Sequence, residues 1–292
     1  EIMPSLVGSE MCIRDRVITN PSAEYKPDGM SGIINIVLKK DAKQGLNGTL
    51  NANVGSYGRQ NAGINLNYGW DRLNIFGGYT FRRDRYDRSI IDHRVSPSDI
   101  INQNTYGLGR PVSHTLRLGM NASLTNRDML EVAGSYNRRR FKRNERVESV
   151  TEDTDGELSD FYFRDRDALA KENMWEATFK YAHRYGKDNE WGVDYTYSSE
   201  SEDEMNHYST LKMEEEGKNN EAVWDANYLH IAKLYWQYYF SDRLRFMSGY
   251  ELEYLKAEQN YHVADWNGTE FMPDAERSSD FTHFMTLHSL YT

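Results

Sequence analysis

The chain has no long apolar run. Of its 292 residues 27% are charged, and no stretch approaches the roughly 18 consecutive apolar residues that a transmembrane helix needs. That excludes a helical membrane protein. It leaves strand-built membrane proteins open, because a strand with lipid on one face and a wet lumen on the other averages to a polar composition. Cysteine is almost missing. Cys12 stands alone, which leaves no intrachain disulfide and no thiolate metal cluster. Positive charge is in deficit: 35 Lys and Arg against 45 Asp and Glu give a formal charge of -10, so the chain lacks the basic balance of a nucleic-acid binder. Convergent histidines are also lacking. The eight are dispersed, and His283 and His288, five apart, fall on opposite faces of a strand, whereas a metal needs ligands that meet. No catalytic constellation emerges, so neither an enzyme nor a cofactor is expected.

Aromatic residues are abundant, at 13% with 21 Tyr and 6 Trp. From Leu46 onward they join a signal of period two. Leu46, Leu50, Ala52 and Val54 alternate with Asn47, Thr49, Asn51 and Asn53. Side chains alternate across a strand, so this is one apolar and one polar, uncharged face. The pattern repeats: Ala62, Ile64, Leu66, Tyr68 and Trp70; then Leu73, Ile75, Tyr79 and Phe81; then Leu116, Leu118, Met120, Ala122 and Leu124. It continues through Leu130 and Val132, Trp175 to Tyr181, Trp191 to Tyr197, Ala232 to Phe240, Leu244 to Tyr254 and Phe281 to Thr292. About ten strands result, many of them near the 9–11 residues that a tilted strand needs to cross a bilayer. Soluble strands peak at about 5–6.

The connections sharpen the reading. Short turns are expected at Asp71-Arg72, Thr125 to Asp128, Gly186 to Asn189 and Ser241 to Arg243. Between them lie polar segments at approximately 83–113, 144–173, 199–223 and 256–280, taken here as long loops. Short and long connections alternate, as in a transmembrane barrel with tight turns at one end and long loops at the other. Tyr57-Gly58-Arg59 departs from the rule. Trp70, Trp175 and Trp191 sit near turns or strand ends, where amphipathic rings favour an interface; ordinary β-propensity is the alternative explanation.

Upstream, residues 17–40 contain Asn20-Pro21-Ser22-Ala23-x-Tyr25, then Gly32-Ile33-Ile34-Asn35-Ile36-x-Leu38-Lys39-Lys40. This resembles the last strand-turn-strand of the plug domain in TonB-dependent receptors, and among these the barrel proteins of Bacteroidota. Pro21, Tyr25, Gly32, Ile34, Asn35, Ile36 and Lys39 carry the match. Ser22 and Tyr25 fall one position early, and Asn20, Lys26 and Ser31 replace glycines of the family pattern. Read on its own, the run Ile33 to Leu38 suits a strand buried on both faces, and a generic hairpin with a linker would also fit. The likeness is continuous over about residues 17–85 and is one of pattern beyond.

The expected organisation has three parts. Residues 1–16 look like sequencing-adapter read-through, with a real but unusual segment as the alternative, and are set aside from fold reasoning. Residues 17–43 end a plug domain and link it to residues 44–292, the N-terminal part of an all-β, antiparallel, up-and-down transmembrane β-barrel. Plugged outer-membrane transporters have about 22 strands, so these ten would make less than half of such a barrel. The start, Glu1-Ile2-Met3-Pro4, is not a signal peptide, so an exported protein is expected to begin further upstream. The resemblance implies the Gram-negative outer membrane, import of an extracellular ligand, and a periplasmic TonB-type energy-coupling protein met through an N-terminal region not in this sequence. Outer-membrane lipid and lipopolysaccharide are the other expected partners. A non-transporting barrel with an adhesion or assembly role is the alternative.

Three charge features remain. Asp153-x-Asp155-Gly156-Glu157 echoes a calcium loop, but Thr151 and Tyr162 occupy its first and twelfth positions, so the bidentate carboxylate is missing. Acidic runs at Glu200 to Glu204 and Glu214 to Glu216 are expected at solvated loop tips. The basic run Arg138 to Arg143, with Arg82, Arg83 and Arg85, suits lipopolysaccharide phosphates or an anionic substrate. Strand alternation would divide those charges between two faces.

Overall fold

The computed structural model describes residues 13–18, 33–38, 45–186, 189–213, 215–241 and 244–292. It is all-β and antiparallel throughout. A small sheet pairs β1 (Ile13–Ile18) with β2 (Ile33–Leu38), Arg16 opposite Asn35. β1 thus takes in the last four residues of the segment set aside above.

The large sheet holds eleven strands: β3 (Gly45–Val54), β4 (Gln60–Trp70), β5 (Leu73–Arg83), β6 (Tyr86–Val95), β7 (Asp99–Ser123), β8 (Asp128–Asp153), β9 (Leu158–Tyr185), β10 (Asn189–Lys212), β11 (Glu215–Ser241), β12 (Leu244–Trp266) and β13 (Phe271–Tyr291). Neighbours in sequence are neighbours in space, from β3 at one edge to β13 at the other. β6 pairs β7 alone. It continues β5 in the same register, since Arg83 faces Val112 and Tyr86 faces Gly109. The break falls opposite Pro111, which has no N–H to offer the ladder; its carbonyl still accepts from the Asp84 amide at 2.9 Å. Ten strands therefore make the path, as the alternation foretold.

The expected turns at Asp71-Arg72, Thr125 to Asp128, Gly186 to Asn189 and Ser241 to Arg243 all fall at junctions between consecutive strands. The long loops do not exist as loops. Segments 83–113, 144–173, 199–223 and 256–280 are mostly strand, closing in tight tips such as 154–157 and 267–270. Strands reach 28 residues in β9. Apolar alternation disappears there because the extensions carry polar side chains on both faces, so the hydrophobic signal of a half-buried strand is lost while backbone pairing continues. Cross-strand charge pairs such as Arg146 with Asp165, 2.7 Å apart, take the place of apolar contacts. At the 154–157 tip, Asp153 Oδ1 accepts the amides of Asp155 and Glu157, both at 2.9 Å. Gly156 supplies the left-handed torsion, at φ 82°. The calcium-loop echo is a turn that fills its own first carboxylate.

Register gives the sheet two faces of opposite character. One row runs Leu46, Tyr68, Ile75, Met120, Val132, Phe179, Tyr195, Ala232, Leu252, His288, each opposite the next. The apolar face stays uncharged over Leu46–Val54 of β3, Ala62–Trp70, Leu73–Phe81, His114–Ala122, Leu130–Tyr136, Trp175–His183, Trp191–Tyr197, Tyr228–Phe240, Leu244–Tyr254 and Phe284–Leu290. The first charges above this band on that face include Arg83, Arg110, Arg138, Lys171, Asp203 and Lys256. The band is also exposed: Leu50 at 82% and Leu118 at 59%. The other face, over the same span, carries Arg117, Glu131, Glu176, Lys180, Asp194 and Lys233. Phe141, Ala168, Ala170, Glu172, Asn206 and Val263 are buried and lie on this polar face, which is therefore the hollow side; Ala226 is the buried exception on the apolar face.

Aromatic rings cover glycines on the hollow side. Tyr235 lies over Gly192 and Tyr291 over Gly249, in each case directly opposite in register. A Cβ at either glycine would enter the ring. Such pairs let a strand bend while filling the space that glycine leaves.

Candidate functional site

Above the band the polar face gathers most of the charge that sequence reading assigned to loops. Alternation splits the basic run: Arg139, Phe141 and Arg143 face the hollow, Arg138, Arg140 and Lys142 the opposite side. The acidic run has the same spacing, so Glu200, Glu202 and Glu204 all face the hollow. The two runs thus meet across β9. They are not solvated tips.

Glu204 is the hub. One carboxylate oxygen takes Arg143 Nη2 at 2.7 Å and the other Arg166 Nη2 at 2.5 Å. Arg166 Nε donates to Asn206 Oδ1 at 2.8 Å. Arg139 Nη1 donates to both oxygens of Glu172 at 3.0 Å, and Glu172 is 6% exposed. Arg88 reaches Glu145 at 2.7 Å, and Arg164 reaches Glu221 at 3.7 Å. The Phe141 ring lies between two guanidinium groups, with Arg139 and Arg143 at 4.8 and 4.7 Å. Arg164 sits 4.0 Å over Tyr208. Charges at this depth must be paired, since desolvation is costly otherwise. Glu202 is the strained member: burial pushes its carboxyl up, aided by its hydrogen bond with Glu204 and by the charge of Glu172. Burial raises the Tyr208 hydroxyl likewise.

Lower on the same face, signs alternate along one in-register row: Glu131, Lys180, Asp194, Lys233, Glu251. Lys180 lies 3.4 Å from Glu131. Between this row and the upper network lies an open recess bounded by Arg117, Asn137, Glu176 and Glu200. The wall as a whole presents paired donors and acceptors and flat rings, suited to holding a polar solute by hydrogen bonds and stacking. Among the described residues no three His, Cys, Asp or Glu side chains come together as a metal site would need.

Of the plug-like motif, Ile34, Asn35 and Ile36 lie in β2. Pro21, Tyr25, Gly32 and Lys39 lie outside the described residues. Sequence reading missed Arg164, Arg166, Glu172, Asn206, Tyr208 and Glu221, because it placed all six in loops, where facing has no meaning. The spacing of two in Glu200, Glu202 and Glu204 was the available signal.

No family model matches the chain, and no curated protein matches it in sequence. Among solved structures, the ferric yersiniabactin uptake receptor FyuA from Yersinia pestis is similar over 89% of this chain, at 11% identity and a TM-score of 0.35. The chain spans 45% of that receptor's length.

Proposed function

We propose that this chain is part of the wall of an outer-membrane β-barrel receptor of the TonB-dependent kind, which imports an extracellular ligand by energy-coupled rearrangement of a plug. One observation carries the membrane part: the apolar face is exposed and uncharged over about nine residues of nearly every path strand, while the opposite face over the same span is polar on β3 and β4 and carries charge on each of β7 to β12. Nine residues measure about 30 Å along a strand, and a strand tilted by about 45° crosses a bilayer with 9–11. Water on both sides would make such a face an aggregation hazard. Lipid on it accounts for both the exposure and the missing charge.

On this reading the long extensions of β7 to β13 rise into the extracellular space, and the paired Arg–Glu wall lines the entry to the lumen. The plug assignment rests on the resemblance of residues 17–43, with Pro21, Tyr25, Gly32, Ile34, Asn35, Ile36 and Lys39 as the end of the plug. The energy-coupling protein would be met from the periplasm. The decisive experiment expresses the protein with its upstream sequence in a Gram-negative host. Heat-modifiable gel mobility, extraction only by detergent, and solute uptake that stops when the energy-coupling protein is deleted are expected. A monodisperse protein in aqueous buffer would overturn the membrane reading. Uptake indifferent to the coupling protein would overturn the transport reading alone.

A further inference from the structure

The outward half of the basic run has no role in the wall just described. Arg138, Arg140 and Lys142 stand one above another on β8, all exposed, on the face that carries the apolar band below. Arg83 shares the row of Arg140 across Val112, Lys171 sits opposite Arg140 on β9, and Arg110 opposite Lys142 on β7. Six cations thus occupy three consecutive rows, in a protein whose formal charge is -10. The side chains of Arg83, Arg138, Arg140 and Lys142 form no hydrogen bond or ion pair among the described residues, while their inward neighbours Arg139 and Arg143 are each ion-paired, with Glu172 and Glu204. Lys171 reaches Asp203 at 3.5 Å, and Arg110 donates to the neutral Asn144. Asp203 ends the middle row beside Lys171, and further carboxylates stand one row above the patch, at Asp87 and Asp167.

Position gives the cluster its meaning. Two residues below Arg138 on the same face is Tyr136, stacked on Trp175 with ring centroids 4.1 Å apart, at the top of the uncharged band. Stacked aromatics mark the depth of lipid headgroups, so these cations lie in the layer where headgroup phosphates end. Like charges held together without partners cost free energy, and a multiply anionic group offsets that through charge-assisted contacts. A soluble solute would be drawn to the lumen face, not to this one.

We propose that Arg83, Arg110, Arg138, Arg140, Lys142 and Lys171 form an outward docking surface for the phosphorylated headgroup of an outer-leaflet glycolipid of the lipid A type. The proposal rests on the membrane reading and names one lipid and one place on the barrel for it. Guanidinium groups take phosphate oxygens in pairs, and the carboxylates of Asp87 and Asp167 bound the patch from above. The acyl chains lie along Tyr79, Leu116, Tyr136 and Trp175.

The test uses the whole protein in micelles of an uncharged detergent, with bis-phosphorylated lipid A as probe and native mass spectrometry as readout. Each basic residue near an anionic headgroup contributes about fivefold. R138Q/R140Q/K142Q is therefore expected to weaken lipid A retention ~100-fold, and dephosphorylated lipid A is expected to bind the unaltered protein equally weakly. The inward pair R139Q/R143Q, with insertion into phosphatidylcholine vesicles as a check on folding, is expected to bind lipid A as the parent does. Unchanged retention by the outward variant overturns the proposal, as does an equal loss in the inward variant. Inositol hexaphosphate binding as tightly as lipid A assigns the patch to soluble polyanions and also overturns it. Failure to insert into phosphatidylcholine vesicles at all removes the membrane reading beneath; insertion without lipid A binding removes this inference only.

Discussion

The Tyr195 hydroxyl and His230 Nδ1 lie 2.8 Å apart on the apolar face, within the uncharged band. Tyr79 with His114 at 2.7 Å and Tyr250 with His288 at 2.6 Å repeat the arrangement. Each of these three histidines thus has a phenol on the neighbouring strand to satisfy one ring nitrogen. His230 is further ringed by Tyr197 at 4.9 Å and Tyr254 at 6.0 Å. A polar group in hydrocarbon without a partner costs several kcal/mol at most, and about 1–3 in protein measurements. Tyr195→Phe is expected to destabilise the vesicle-inserted protein by about that amount. The double variant Y195F/H230L should recover most of the loss in urea unfolding. Equal stability of single and double variants would show that the hydrogen bond contributes nothing.

Gly192 tests the curvature of the wall. Its added Cβ would meet the Tyr235 ring and, at 2.7 Å, the Tyr181 carbonyl oxygen. Tyr235 is not free to withdraw, since its hydroxyl donates to Glu190 at 3.1 Å. Gly192→Ala is expected to cost about 1–3 kcal/mol through overpacking, visible as a lower urea midpoint. Adding Tyr235→Phe, which releases the ring, should soften the effect. If G192A is neutral, the ring does not sit over the glycine.

Glu204 joins β8, β9 and β10 through Arg143 and Arg166, and its side chain is 12% exposed. Glu204→Gln removes two charge-assisted bonds and is expected to cost about 1.5–3 kcal/mol. The loss should be local. Amide exchange should quicken in the upper halves of these strands and stay unchanged in the band below. Uniform acceleration along β9 would mean that the network serves the whole sheet and not the upper wall.

The lower half of the fold was legible because its two faces meet different surroundings. Where Leu46 alternates with Asn47, and Trp175 with Glu176, the hydrophobic pattern records the strand and its facing together. The upper half was hidden for the same physical reason. Lys142-Arg143-Asn144-Glu145-Arg146 is polar whichever way it faces, so periodicity carries no contrast, and strand looks like loop. The Arg–Glu wall was hidden with it. A salt bridge between Arg143 and Glu204 joins residues 61 positions apart, and such a pairing follows from register, which local sequence does not encode. The split of Arg138 to Arg143 between two faces was foreseeable from alternation alone; which half is paired was not.

Acid should loosen the upper extensions first. The Arg146 guanidinium, at 2.7 and 2.8 Å from Asp165, holds that carboxyl below the usual range. A depressed carboxylate stabilises the fold above its ordinary pKa of about 3.9, and the contribution fades as pH falls through the lower, folded value. Both side chains are about half exposed, so the effect is small and screened by salt. Opening near the tips of β8 and β9, read as amide exchange relative to the intrinsic rate at each pH, is expected to be flat from neutral pH to about 5 and to rise below about 4. Arg146→Gln should remove that acid limb. Were the limb to persist in the variant, another carboxylate would be responsible.

The two faces can be weighed directly with one substitution on each. Leu118 lies on the apolar face, 59% exposed and directly opposite Gly134. Ser135, opposite Arg117 and Glu176, lies on the hollow side at nearly the same height. An arginine on the lipid side of a barrel costs about 2–4 kcal/mol at mid-depth, whereas one on a wet lumen wall of mixed charge has water and Glu176 at hand. Leu118→Arg is therefore expected to lower stability in vesicles by about 2–4 kcal/mol, and Ser135→Arg by less than about 1. The difference should shrink in a thinner bilayer, where the residue is nearer an interface and its guanidinium can reach water. If the two costs were reversed, the apolar face would be the interior, and the chain would be a soluble sheet folded around a dry core.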